Sequence, residues 1–264
     1  MFKQLERTCL RTVCKFNDLA KRAAIRLVYY TGKSRERVHP KHLLEIRKNY
    51  WFLDHLKPGD TVIDIGCGTG FKTIAAGKIC HSGFGVDQCE DLLFIGKREA
   101  SRQNQLHVHF LRADMESSLC FKKDSFDAVM LFDVLEHVHR RNELLREIHY
   151  ILKPTGILLL SVPNRETDWK KHLQRAGLPF YSDLDHKIEY TRDEIAEELS
   201  SAGFIPTGPV MTEVYDTPWA GLIDLLGGLS LSLYRRCSEW KMLYAEQHPE
   251  QSTGFRFVCR KSTP

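Results

Sequence analysis

The sequence lacks the long apolar run that a membrane-crossing helix requires, about 20 residues. Its most apolar window, Trp219 to Tyr234, falls short of that and carries Asp224, so it reads as soluble or interfacial. An apolar leader is missing too, because M-F-K-Q-L-E-R runs straight into alternating charge. No C-x-x-C pair occurs among the eight cysteines, and their scatter argues against a cysteine-held zinc site. Cys67, Cys80 and Cys89 fall in expected core segments, as in a reduced, cytoplasmic chain that uses cysteine as a small hydrophobe. No internal repeat and no long low-complexity segment is visible, which argues against a solenoid.

What remains is a 264-residue chain, long enough for a full α/β core. Its net charge of +4 is unevenly placed. Residues 1–50 hold 13 Lys and Arg against 4 Asp and Glu, a charge of +9, which leaves −5 on the rest. A basic amino-terminal arm on a mildly acidic body suits an anionic surface or substrate near that arm. Residues 2–30 read as one helix, with Phe2, Leu5, Cys9, Val13, Phe16, Leu19, Ala23, Leu27 and Tyr30 forming an apolar stripe. Lys3, Arg7, Arg11, Lys15, Arg22 and Arg26 occupy its other faces. Two readings stay open: a helix packed on a catalytic domain, or a peripheral helix lying on an anionic membrane.

The stretch T-V-I-D-I-G-C-G-T-G, residues 61–70, organises the remainder. Thr61 to Ile65 is a β-branched run with Asp64 inside it, a buried strand by composition. Gly66, Gly68 and Gly70 then permit a tight turn and let a ligand approach the backbone. The spacing is G-x-G-x-G, with an acid two residues ahead, rather than the G-x-G-x-x-G of dinucleotide folds. Residues 82–88 form a second strand ending in Asp87, placed as a ribose-binding acid would be. A helix follows over 90–104, then a third strand at 107–113 leading to Asp114 and Met115.

The fourth strand, 125–132, runs into D-V-L-E-H-V. If 133–138 begins a helical turn, Asp133, Glu136 and His137 share one face, as a divalent-metal or acid–base group would. Residues 40–56 are expected as a helix in which Leu43, Leu44, Ile46, Tyr50, Trp51 and Leu53 pack; a helix at 141–152 precedes a buried strand at 157–162. Within 165–190, Trp169, His172, Phe180, Tyr181 and His186 are candidate acceptor contacts. Thr191 and Glu194 form a capping box. Strands at 204–215 and 252–261 pair antiparallel, joined by a helical or membrane-facing connection at 216–250.

The D-I-G-C-G-T-G turn, the ordered acids downstream and L-K-P-T-G-I-L-L-L-S-V-P-N together resemble the class I S-adenosylmethionine-dependent methyltransferases. The resemblance covers about residues 45–205 and the final strand. It implies a Rossmann-like, seven-stranded, mostly parallel sheet with helices on both faces and an antiparallel carboxy-terminal strand. The division implied is a basic helical extension at 1–40 and a methyltransferase domain at 41–264, with insertions at 165–190 and 216–250. Asp64, Gly66, Cys67, Gly68, Gly70, Asp87, Asp114 and Met115 would hold S-adenosylmethionine, with Asp114 and Met115 at the adenine. Asp133, Glu136 and His137 would face the acceptor as catalytic groups.

D-V-L-E-H-V also resembles the E-x-x-E-H cluster of ubiquinone-pathway O-methyltransferases, which binds a divalent cation. Small-RNA 2′-O-methyltransferases add a later histidine, which His186 matches. Asp133 departs from both patterns. A small-molecule, lipid, quinone or glycan hydroxyl is the expected acceptor, with RNA as an alternative and a divalent metal as an open question. A cofactor-binding partner subunit without catalysis is the remaining rival.

Overall fold

The computed structural model describes residues 2–44 and 47–262. In chain order, α1 (Phe2–Tyr30) leads through 3-10 turns at Pro40–Leu43 and Arg47–His55 to β1 (Thr61–Ile65) and α2 (Phe71–Gly77). β2 (Ser82–Asp87), α3 (Glu90–Arg102), β3 (Val108–Arg112) and β4 (Phe126–Phe132) follow. Next come α4 (Arg141–Ile151), β5 (Leu152–Pro163), α5 (Asp168–Arg175), α6 (Arg192–Ser201), β6 (Phe204–Pro206) and β7 (Met211–Thr212). The chain ends with α7 (Ala220–Leu229), α8 (Leu231–Gln247) and β8 (Gly254–Lys261).

Two compact units emerge. One gathers residues 47–163, 185–211 and 255–264; the other gathers 1–46, 164–184 and 212–254. The segments expected as insertions therefore assemble largely with α1 rather than as loops of a single domain.

In the first unit the strands run β3-β2-β1-β4-β5-β8-β6, and β7, two residues long, pairs with β8 off this path. The sheet thus has eight strands where seven were expected. β1 to β5 are parallel and β8 is antiparallel to β6. Continuous burial of Val62–Ile65 and Ala128–Phe132 is what two-sided helical cover demands of central parallel strands. On one side Leu144, Leu145 and Ile148 of α4 join Ile63, Ile65, Val129 and Leu131 in the main core cluster. Phe52 and Leu56 form a second with Val62, Ala128 and Met130.

Several expectations shift. The helix expected over 40–56 resolves into two 3-10 stretches, and Tyr50 is non-helical at φ −113°, ψ 26°. Pro40 opens the first stretch; in the second, Phe52 is fully buried, stacks on Phe132, and has Trp51 beside it. Of the residues expected to pack there, Ile46 lies outside the described residues. The turn Lys153–Gly156 is absorbed into β5 as a bulge, with the register passing from Phe126–Leu152 to Ala128–Ile157. The strand expected at 204–215 is only Phe204–Pro206 plus the short β7.

In the second unit α1 has the expected length but not the expected inner face. Ala20, Ala24 and Val28 are buried, while Leu5, Phe16, Leu19 and Tyr30 of the stripe are exposed. The side chains of Phe2 and Lys3 lie outside the described residues. Close contact with α7 selects the small face. A Cβ at Gly221 would lie 2.6 Å from Asn17, and one at Gly228 would lie 2.8 Å from Leu27. Asn17 also donates to the Pro218 carbonyl at 3.0 Å and accepts from the Gly221 amide at 3.0 Å.

The capping box opens α6, the Glu194 amide donating to Thr191 Oγ1 and the Thr191 amide to the Glu194 carboxylate. Thr191→Ala should cost about 1 kcal/mol, read as a lowered denaturant midpoint at unchanged m-value.

Candidate functional site

β1 and β4 flank the point where the strand order reverses, which is where open parallel sheets leave a crevice at their carboxyl ends. The glycine turn lies there. Gly66, Gly68 and Gly70 all have left-handed φ, +73°, +55° and +73°. The amides of Gly66 and Cys67 both donate to the Val86 carbonyl, at 2.8 and 3.0 Å, which locks the turn to the end of β2. The three glycines are needed for different reasons. A Cβ at Gly66 would meet Val134 at 2.3 Å and one at Gly70 would meet Phe110 at 2.2 Å. At Gly68 nothing lies within 4 Å, so only there does bare backbone face open space.

The carboxylates are placed by the strand ends. Asp64 is buried in β1 and accepts from the Thr73 hydroxyl of α2 at 2.7 Å. Burial pushes its carboxyl up to about 6, tempered by that hydrogen bond and by nearby Lys72. Asp87 accepts from the Gly68 amide at 2.8 Å and the Cys89 amide at 2.9 Å, bracing the turn with the carboxylate expected at a ribose. Asp114 is exposed and accepts from the Glu116 amide at 2.9 Å, while the Met115 side chain is buried in the core. Cys67 is buried beside the turn, and burial, with Asp64 and Asp87 adding to it, holds its thiol protonated.

The group beyond β4 differs from expectation. Only Leu135–His137 is helical, as one 3-10 turn, and Asp133 ahead of it has φ +58°. Asp133 is exposed and accepts from Ser161 Oγ at 2.7 Å, so it does not share a face with Glu136 and His137. His186 takes that place. The Lys187 amide donates to the Glu136 carbonyl at 2.7 Å, which draws residues 186–188 against the turn. The rings of His137 and His186 lie 4.6 Å apart, and His186 Nε2 is 3.9 Å from Glu136 Oε1. His186 Nδ1 meets the buried Glu189 carboxylate at 2.9 Å. One ligand atom from each of Glu136, His137 and His186 falls within 4.8 Å of the others.

Glu189 and Thr73 were not legible as site residues. The signal for Glu189 was its place in D-H-K-I-E, the setting that matched His186 to the small-RNA enzymes, but it carried no role there.

The candidate acceptor residues part company. Trp169 and His172 line a cavity of 420 Å³ within the second unit, with Tyr215, Tyr244, Asp168 and Asp216. Phe180 and Tyr181 pack edge to face on each other at 4.9 Å.

Residues 63–160 match the methyltransferase domain family. The chain is 28% identical over 200 residues to the 2-methyl-6-phytyl-1,4-hydroquinone methyltransferase of Synechocystis, covering 69% of this chain and 60% of that one. It is 31% identical over 132 residues to the ubiquinone biosynthesis O-methyltransferase of Coxiella burnetii, covering 49% and 55%. The chain thus spans under two thirds of the length of these relatives. Among solved structures it resembles an S-adenosylmethionine-dependent methyltransferase of Mesorhizobium loti, with TM-score 0.55, 18% identity, and coverage of 81% and 96%. It also resembles the cyclase SpnF, with TM-score 0.59, 20% identity, and coverage of 82% of each chain. Within the α/β unit, residues 63–160 thus match a methyltransferase domain, and the sheet around them has the class I, Rossmann-like order.

Two outcomes follow from the turn. Gly66→Ala should lose roughly 2–4 kcal/mol of stability through the Val134 clash and the positive φ. Gly68→Ala should cost only about 1 kcal/mol yet abolish S-adenosylmethionine binding in calorimetry, because its methyl fills the open approach. A second pair follows from Asp64. Its folded-state pKa lies above the ordinary 3.8, so its contribution to stability is full below about 4 and is lost as pH rises to about 6. Asp64→Asn should therefore be the more stable protein at pH 8, by roughly 1–3 kcal/mol in denaturant melts, and level with the parent near pH 4.

Proposed function

We propose that the chain transfers a methyl group from S-adenosylmethionine to a hydroxyl of a quinol-like acceptor. The observation carrying this is the glycine turn open at Gly68, braced by Asp87 and flanked by Asp64. Bound there, S-adenosylmethionine supplies an electrophilic methyl on a sulfonium. Asp64, once ionised, is the group to pair with the ammonium, while Asp87 keeps lone pairs for the ribose hydroxyls and Asp114 for the adenine amine. The names of two relatives, one a hydroquinone and one a ubiquinone-pathway methyltransferase, support a phenolic acceptor.

The acceptor proton goes to the group beyond β4. The Glu189 carboxylate accepts from His186 Nδ1–H, which fixes the tautomer and leaves Nε2 as the nitrogen with the free lone pair. Nε2 then faces Glu136 and His137, where a hydroxyl brought between them would lose its proton to the imidazole. Asp133, bonded to Ser161, acts on the loop rather than on the proton.

The same three residues favour a second reading. Two imidazoles and one carboxylate, with Glu189 behind one imidazole, form a donor set that suits a borderline transition ion better than Mg²⁺. Held by Glu136, His137 and His186, such an ion would act as a Lewis acid on the acceptor oxygen.

Labelled S-adenosylmethionine offered to a panel of hydroquinones and catechols tests the transfer. Methyl recovery on oxygen is expected, and no transfer to any phenol would sink the reading. His186→Ala should lower kcat by about 10²–10⁴. Glu189→Gln should lower it less, because the amide oxygen still accepts from His186 Nδ1–H. If chelation alone reproduces the His186→Ala loss and Mn²⁺ or Zn²⁺ restores activity, the metal reading stands; activity unchanged by chelator removes it.

A further inference from the structure

The α1–α7 pair carries an exposed apolar face that the methyltransferase domain does not account for. The two helices run parallel, since Gly221 meets Asn17 and Ala20 while Gly228 meets Ala24 and Leu27. With about 100° per residue, Leu5, Phe16 and Leu19 lie roughly 60–120° from the packing direction of α1. Leu222 and Leu229 lie about 90–110° from that of α7, in the opposite rotational sense. Because the helices are parallel, these opposite senses turn both stripes to the same side of the pair.

That side is open. Leu5 is 63%, Leu19 66%, Leu229 60% and Trp219, just ahead of α7, 63% exposed. α8 does not cover it, because α8 meets α7 on another face, through Tyr234 against Gly227. Lys15 and Arg26 follow the apolar stripe around α1 on the edge away from α7, with Arg11 and Arg22 beyond them. All four are exposed, and no ion pair engages them among the described residues.

We propose that this face seats the chain on an anionic lipid bilayer. Leu5, Phe16, Leu19, Leu222, Leu229 and Trp219 enter the acyl boundary, and the flanking Lys and Arg meet headgroup phosphates. A second copy of the chain fits less well, because it would set one basic edge against another. The helices lie in the membrane plane: among the described residues, no helix is long and apolar enough to cross it. Neither the cofactor turn nor the acceptor chemistry enters this inference, so it stands or falls apart from methyl transfer.

Flotation with phosphatidylcholine vesicles, with and without about one third phosphatidylglycerol, tests the seat. Binding to the anionic vesicles is expected, weakened at high salt. Leu19→Ser with Leu222→Ser should lower it about tenfold or more, and Arg22→Gln with Arg26→Gln should remove the preference for phosphatidylglycerol. Brominated acyl chains should quench tryptophan emission in the parent, with most of that quenching lost in Trp219→Phe. Unchanged far-ultraviolet circular dichroism and denaturant midpoints show the variants to be folded. A chain that stays in solution with both vesicle types overturns the proposal. So does a dimer in gel filtration that the Leu19→Ser, Leu222→Ser variant abolishes, which would assign the face to self-association.

Discussion

The α/β unit depends on one backbone junction. The carbonyl of Val86, at the end of β2, accepts two amides from the turn that leaves β1, and Asp87 accepts a third from Gly68. Three left-handed residues in five favour glycine throughout this turn, because a Cβ at any of them would store backbone strain. What the junction leaves is a stretch of backbone with packed neighbours on both flanks and open space at its middle. Cofactor recognition needs that combination, since the flanks fix position and the middle admits the ligand.

The charges follow from the same junction. Asp64 sits where β1 is already buried, so its ionisation is costly and is met by the Thr73 hydroxyl and nearby Lys72. Desolvation thereby holds a carboxylate close to its protonation point, poised to ionise fully when a cation arrives. Asp87 does structural and recognition work at once. Substituting it would loosen the turn as well as the ribose contact, so its effects on folding and binding are inseparable in a way that those of Gly68 are not.

The group beyond β4 obeys a different logic. Its members come from two stretches far apart in sequence and meet because one carbonyl, that of Glu136, accepts from the backbone amide of Lys187. Once that contact forms, His186, Glu189, Glu136 and His137 are neighbours in a largely water-excluded place. Asp133 is carried out of the group by its positive φ and held by Ser161. Treating residues 133–138 as one α-helical turn put Asp133 with Glu136 and His137, whereas Asp133, at positive φ, lies outside the three-residue 3-10 turn that carries the other two.

The alternation of glycines, the acids at strand ends, the capping box and the buried run at 157–162 were legible in the amino-acid order. Each is a local rule: a backbone angle only glycine adopts, a carboxylate at a fixed step along a strand, a side chain reaching its own helix terminus. The length of α1 was legible for the same reason. Which face of α1 turns inward was not, because a stripe of larger apolar residues outweighs Ala20 and Ala24 in any count of hydrophobicity, and only contact with Gly221 and Gly228 makes the small face the better fit. The company His186 keeps and the shared side of the α1 and α7 apolar stripes were likewise decided by tertiary structure. Both are relations between segments distant in the chain, and no periodicity within either segment encodes them.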